Sequence, residues 1–251
     1  MTVVCLLADP PREGLALPEL VASSPLSAAE ARDLYAAMTK DVVRAAANSG
    51  GELLVNYRAD DALPVAGEGS AAELRGLVAE TLGGTGDVRF EVQVGETFAG
   101  RAGNTVTHLL DAEGEGSAAV VTPHAAFIGR TQIDNAAMKL RRTPVVLGPA
   151  PEGRVYYAAF RETVDFTGAY DPPALSSLTA KATDADVEVG FLERLPVIET
   201  GADLADALVY LRARERAGRI VPQHTLACVD DLGLDVDAGE EGLSLVRTDS
   251  S

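Results

Sequence analysis

Short apolar runs alternate along the chain with amphipathic stretches of helical period. Residues 3–8 (Val-Val-Cys-Leu-Leu-Ala) form an unbroken apolar run, the pattern of a strand buried on both faces. Two prolines and a glycine in residues 9–14 then force a loop. Ser27-Ala28-Ala29-Glu30 has the spacing of a capping box and opens a helix to about Ala47, with Leu34, Tyr35, Met38, Val42 and Val43 on its apolar face. Gly50-Gly51 ends that helix, and Glu52–Tyr57 reads as the next strand. The alternation repeats, with helices expected over 70–82, 96–111, 130–141, 173–183 and from Thr200 to about Ala217. Strands are expected over 88–94, 118–122, 144–147, Val155–Phe160 and 187–192.

Such alternation predicts an α/β fold with a mostly parallel central sheet flanked by helices. A right-handed crossover should place 3–8 centrally, with Glu52–Tyr57 beside it in parallel. Residues 1–217 form the expected domain, and 218–251 a C-terminal helical appendage. From Asp235 onward Gly, Asp, Glu and Ser dominate, so a frayed, disordered acidic tail is expected there. There is no internal repeat.

Charge narrows the partners. The formal net charge is -17, from 38 acidic and 21 basic residues, which argues against nucleic acid or an anionic membrane surface. Lys40, Lys139 and Lys181 are the lysines, and the other basic residues are arginines. Acidic, lysine-poor chains are typical of organisms holding molar salt in the cytoplasm, as haloarchaea do; the alternative is an acidic protein of a GC-rich mesophile. There the Debye length is roughly 3 Å instead of ~8 Å, so self-repulsion is screened. No apolar run approaches the ~20 residues of a membrane span, and the first residues lack the basic start of a signal peptide. A soluble, cytoplasmic protein is expected. Cys5 and Cys228 are too few for a disulfide framework or a cysteine metal cluster.

Ligands of parallel sheets gather at the carboxyl ends of strands. In the first such loop, Arg12 beside Gly14 could meet a phosphate or could simply order the loop. The segment from Gly148 to Arg154, ending at Tyr156-Tyr157, could wall a substrate pocket or connect a hairpin. Gly83-Gly84-Thr85-Gly86 follows no strand and reads as a turn. Of His108, His124 and His224, only His124 lies at a strand end. Ser23-Ser24 and Ser176-Ser177 lack the context of a nucleophile elbow. Glu199 and Asp203 could hold a cation, although helix capping from Thr200 also explains Asp203.

Taken in order, these pieces resemble a bacterial and archaeal domain-of-unknown-function family of glycosyltransferase-like proteins. That family is related to nucleotide-diphosphosugar transferases and has the GT-A, Rossmann-like fold. Its first strand is followed by a pattern near A-K-x-P-x-x-G-x-x-K-T-R-L and a helix starting L-S-x-x-E-A. Ala8, Pro11, Arg12, Gly14 and Leu20 fit the first part, and Leu26-Ser27-Ala28-Ala29-Glu30-Ala31 the second. Val145-Val146-Leu147-Gly148-Pro149-Ala150, Gly153 and Tyr156-Tyr157 resemble the family's V-V-L-G-P-A-x-D-G-G-Y-Y. Glu199-Thr200-Gly201-Ala202-Asp203-Leu204 resembles its late D-T-P-E-D-L. The resemblance spans about residues 3–216. It implies nucleotide contacts at Ala8, Pro11, Arg12, Gly14, Gly148, Pro149 and Gly153, a substrate pocket near His124, Glu152 and Tyr156, and a metal ligand at Glu199.

The departures fall where the chemistry would be. Leu17-Pro18-Glu19-Leu20 stands at the family's K-T-R-L, and Val121-Thr122-Pro123-His124-Ala125 at its G-T-D-S-P. Both the phosphate-binding cations and an acid for Mg²⁺ or Mn²⁺ are missing. The expectation is therefore a degenerate relative that binds a nucleotide sugar or another small anion, or acts as an interaction module. The alternative is an active glycosyl- or nucleotidyltransferase, which would need Mg²⁺ or Mn²⁺.

Overall fold

Every residue of β1 (Thr2–Ala8) is buried, as its unbroken apolar run requires. It lies between β2 (Glu52–Tyr57) and β4 (Ser117–Val121), parallel to both, with Val4 opposite Leu53 and Ala119. The central, parallel placement expected of this strand is thus the one observed. The computed structural model describes every residue except Ala66, Glu68, Glu241 and 249–251.

Four further strands complete the main sheet: β3 (Arg89–Val92), β5 (Val145–Pro149), β6 (Val155–Phe160) and β7 (Val189–Phe191) extend it to the order β3-β2-β1-β4-β6-β5-β7. Only β6 runs antiparallel, to both β4 and β5. The five residues between β5 and β6 leave no room for a crossover, so a hairpin is the one connection available. The Gly148–Arg154 segment is accordingly a hairpin connection.

One sheet face is covered by α2 (Ala28–Ala47), α3 (Ser70–Leu82) and α5 (Arg130–Lys139), through Val42, Val43, Leu74, Val78 and Ile133. The other face is covered by α4 (Phe98–Thr107) and α6 (Ala174–Asp184), through Ala102, Val106 and Leu178. The capping box at Ser27 forms, with Glu30 Oε2 accepting from the Ser27 N–H at 2.8 Å. A third apolar cluster joins α1 (Pro18–Ser23) and α2 to α7 (Gly201–Arg216) and α8 (Gln223–Asp231), through Leu20, Leu34, Met38, Leu208 and Val229.

The C-terminal expectation needs correction. Instead of fraying, the chain after α8 forms a hairpin of β8 (Leu234–Gly239) and β9 (Gly242–Arg247). Leu234 is buried in the third cluster, and Val236 and Leu245 pack against it. The Arg247 guanidinium also reaches Glu30 at 2.8 Å. Alternating apolar positions hidden among acids therefore suffice to dock it. The helix expected over 96–111 is α-helical only to Thr107, and His108–Ala112 continues as a single π-helical turn. No helix among the described residues is long and apolar enough to cross a membrane.

The acidic charge gives a first test. Raising KCl from about 0.15 M toward molar levels screens repulsion among exposed carboxylates. The melting temperature should rise over that range, and scanning calorimetry that gave a flat or falling curve would exclude a halophilic adaptation.

Candidate functional site

The carboxyl ends of β1, β2 and β4 meet at one edge of the sheet. Asp9 directly follows β1 and Arg58 directly follows β2. Because Ala8 pairs with Tyr57, the parallel register brings these two side by side. Arg58 grips Asp9 with two hydrogen bonds, one from Nε to Oδ1 at 2.7 Å and one from Nη2 to Oδ2. That contact raises the guanidinium's pKa against the opposing effect of its burial. The Asp9 N–H donates to the Tyr35 hydroxyl at 3.1 Å, so α2 helps to fix the loop.

On the β4 side, Pro123–Ala125 make one 3₁₀ turn that carries His124. The imidazole lies edge-on to Tyr35, with ring centroids 6.2 Å apart, and its Nδ1 shares a hydrogen bond with the Thr122 hydroxyl at 3.2 Å. Burial lowers the His124 pKa below its ordinary value, although Glu199 and Asp9 pull the other way. The His124 carbonyl accepts from the Ile198 N–H at 3.0 Å, which ties this turn to the segment leading into α7.

Glu199 and Asp203 sit at the start of α7. Asp203 completes a capping box with Thr200, accepting from the Thr200 N–H at 3.0 Å. The guanidinium of Arg154, from the β5–β6 hairpin, bridges both acids: Nη1 lies 2.8 Å from Asp203 Oδ2 and 3.3 Å from Glu199 Oε2. Glu152 Oε2 stands 3.8 Å from the same guanidinium, on a carboxylate that is 81% exposed. Its backbone is left-handed (φ 60°), uncommon for a residue with a Cβ. Hydrogen bonding to Asp203 raises the Arg154 pKa well above its ordinary value.

The structure thus brings together His124, Glu152 and Glu199, and separates the other candidates from them. Arg12 is buried and turned toward α3, where Nη2 meets Glu73 Oε1 and Asp60 Oδ1, each at 2.7 Å. Two carboxylates already neutralise it, so the expected phosphate contact is not prepared at this side chain. Gly14 (φ +75°) turns the same loop, whose Leu15 and Ala16 N–H groups both bond to the Arg12 carbonyl. Ala8 and Pro11 flank the edge through backbone, with Ala8 2% exposed.

Gly148 serves packing. A Cβ there would lie 2.5 Å from the Tyr156 ring, whose hydroxyl donates to the Glu193 carbonyl at 3.1 Å. Tyr156 is buried on that contact and does not line an open pocket. The Pro149 carbonyl accepts from Leu195 N–H, and Gly153 (φ +71°) packs on Pro173. A cleft of about 870 Å³ lies on the flank between α4 and the 164–171 segment, lined by Phe98, Asn104, Phe166 and Tyr170. It is separate from the His124 cluster.

No family model matches the chain, and no curated protein matches it either. Solved structures do. A protein of Desulfovibrio desulfuricans G20, described as a nucleotide-diphospho-sugar transferase, superposes with a TM-score of 0.73 at 17% identity, over 92% of this chain and 95% of that one. The chain has the nucleotide-diphospho-sugar transferase-like fold. A cytidylyltransferase of Leptospira borgpetersenii serovar Hardjo-bovis (strain JB197) gives 0.51 at 8% identity, covering 92% and 94% of the two chains. These likenesses establish the architecture; the site has to be argued from its own residues.

Sequence reading missed Arg58, Asp9 and the bridging role of Arg154. The signal was present for the first two. Both follow strands expected to be adjacent and parallel, and strand ends are where such sheets place their polar groups.

Proposed function

We propose that the protein binds a phosphate-bearing small molecule, a nucleotide or nucleotide sugar, at this edge, with divalent-dependent transfer altered or lost. The observation that carries the reading is the Arg154 guanidinium between Glu199 and Asp203. A cation already fills the place where two carboxylates could hold Mg²⁺ or Mn²⁺, and those ions need several oxygen ligands left free for them. Among the described residues, no three His, Cys, Asp or Glu side chains are grouped as a metal ion requires. The residues present do not fit such a metal.

The segment matching the family's basic stretch supports the same conclusion. Leu17 and Leu20 are buried in the third cluster, where they anchor α1. A segment committed to apolar packing presents no cation to a diphosphate. This packing supports the reading of altered or lost divalent-dependent transfer.

One observation favours the alternative of an active transferase. Burial disfavours the charged form of His124, and a neutral imidazole near Glu199 can accept a proton from an acceptor hydroxyl. Calorimetry separates the two readings, using nucleoside phosphates and their sugar conjugates in high salt, with and without Mg²⁺ or Mn²⁺. The binding reading expects heat from nucleotides that divalent ions do not enhance. Micromolar, metal-dependent affinity abolished by Glu199→Ala would overturn the binding reading and make the transferase the leading one, and absence of all binding would refute both.

A further inference from the structure

In the loop after β1 Arg12 is committed to Asp60 and Glu73, yet the same edge of the sheet carries two other arginines. A hydrogen bond fixes where they stand. Thr105 Oγ1 donates to Asn56 Oδ1 at 2.9 Å, pinning α4 to β2. Helix α4 begins beyond the carboxyl end of β3 and runs back down the sheet. Arg101 therefore stands one turn, about 6 Å, above Thr105. Arg58 stands two residues, about 6.6 Å, above Asn56, and strand alternation puts it on the same face. The two guanidinium-bearing residues are thus level with each other beside Asp9.

Their bonding is unequal. Arg58 is held by Asp9. Arg101 donates from Nη1 to the Glu96 carbonyl at 2.9 Å, and its Nε is buried without a partner. Among the described residues no carboxylate lies within ion-pair distance of Arg101. Burial and the nearby charge of Arg58 both lower its pKa, as expected of a cation lacking a counter-charge. Two guanidiniums against one carboxylate leave a positive spot in a chain of net charge -17. The first turn of α4, capped by Thr97, adds its partial positive charge at the same end.

We propose that Arg58 and Arg101 form a phosphoryl-binding pair, in place of the Arg12 that the loop after β1 commits to Asp60 and Glu73. This deepens, and rests on, the reading that the edge binds a phosphate-bearing ligand. Arginine suits the role because its planar fork meets phosphate oxygens two at a time and keeps its charge at any ordinary pH. Asp9 then acts as an internal competitor, occupying the Arg58 fork until a more highly charged diphosphate arrives. The ligand class is a mono- or diphosphate ester whose phosphoryl oxygens are met by guanidinium rather than by a divalent ion.

The test is calorimetric titration of the full chain with inorganic pyrophosphate, then with a nucleoside diphosphate. Arg101→Met should weaken pyrophosphate about tenfold or more, as loss of a charged hydrogen-bond donor does, with Arg101→Lys in between. Asp9→Asn should strengthen binding, because it frees the Arg58 fork; a merely structural Asp9 would not give that gain. Wild-type heat that neither Arg101→Met nor Asp9→Asn alters would overturn the pair, and so would the absence of any pyrophosphate binding. Nucleotide binding that persists unchanged in Arg101→Met would overturn the pair while leaving the proposed function standing. Arginine-dependent pyrophosphate binding without nucleotide binding supports the pair and refutes the nucleotide reading.

Discussion

Asp41→Ala is expected to lower the melting temperature by roughly 6–12 °C, the equivalent of about 3 kcal/mol in a chain of this size. The reason is a helix start capped from a distance. Helix α8 begins after Pro222, whose side chain supplies no capping hydrogen bond. The Asp41 carboxylate, projecting from α2, does so instead. It accepts from the His224 N–H at 3.1 Å, the Thr225 N–H at 2.7 Å and the Thr225 hydroxyl at 2.7 Å. Thr225 is 1% exposed and Asp41 7%, so water cannot replace the lost acceptor. Losing a cap typically costs about 1 kcal/mol, and leaving buried donors unsatisfied about 1–3 kcal/mol more. Thr225→Val deletes one donor and leaves both backbone bonds, so it should cost about 1 kcal/mol. Thermal denaturation of the two variants checks the ranking. Equal losses would show that Asp41 matters for packing rather than for capping. The hairpin of β8 and β9 follows α8 directly, so Asp41→Ala should also open residues 217–248 to proteolysis first.

What the sequence disclosed, it disclosed through local signals. The apolar run of β1, the capping boxes at Ser27 and Thr200 and the stop at Gly50-Gly51 each act over a few residues, and each appears where expected. The hairpin of β8 and β9 escaped because Asp235, Asp237 and Glu240 mask an alternation that only docking on α7 and α8 makes decisive. Helix α1 did carry a signal, since proline suits the first turn of a helix and Pro18 stands there. His124, Glu152 and Glu199 were singled out from strand ends and family pattern, and the fold places them near one another around Arg154. The structural role of Arg12 is one of two readings the sequence leaves open, because its partners Asp60 and Glu73 lie 48 and 61 residues away, beyond any local motif. Arg58 and Arg101 depend on the register of β1 with β2 and on the docking of α4. Both are tertiary facts that spacing along the chain does not encode.

Arg154→Met should both destabilise the protein and give it an affinity for divalent cations that the parent lacks. Methionine keeps most of the side-chain stem and removes the charge. Asp203, with its side chain 9% exposed, then loses its guanidinium, while Glu199, 41% exposed, loses less because water reaches it. Breaking a buried pair costs about 3–5 kcal/mol, and the partial exposure of Arg154 brings the expectation down to about 2–3 kcal/mol. The loss should depend on pH. Burial alone pushes the Asp203 carboxyl up, but hydrogen bonds and charge from Arg154, with help from Thr200, bring it below its ordinary value. A folded-state pKa below the unfolded value of about 3.9 gives stability that is fully present above that value. That stability drains away as pH falls through the folded-state value. In Arg154→Met burial is opposed only by the bonds from Thr200, the smaller of the lowering effects, so acid relieves the variant instead. The gap in melting temperature between parent and variant should be widest near neutral pH and close toward pH 3. Glu199 and Asp203 both converge on Arg154 Nη1, so the vacated space lies between two carboxylates. Mn²⁺ should therefore raise the melting temperature of Arg154→Met and leave that of the parent unchanged, with Glu199→Gln cancelling the gain. A parent stabilised by Mn²⁺ as strongly as the variant would mean that Arg154 does not stand in for a metal, and the proposed loss of divalent chemistry would fall with it.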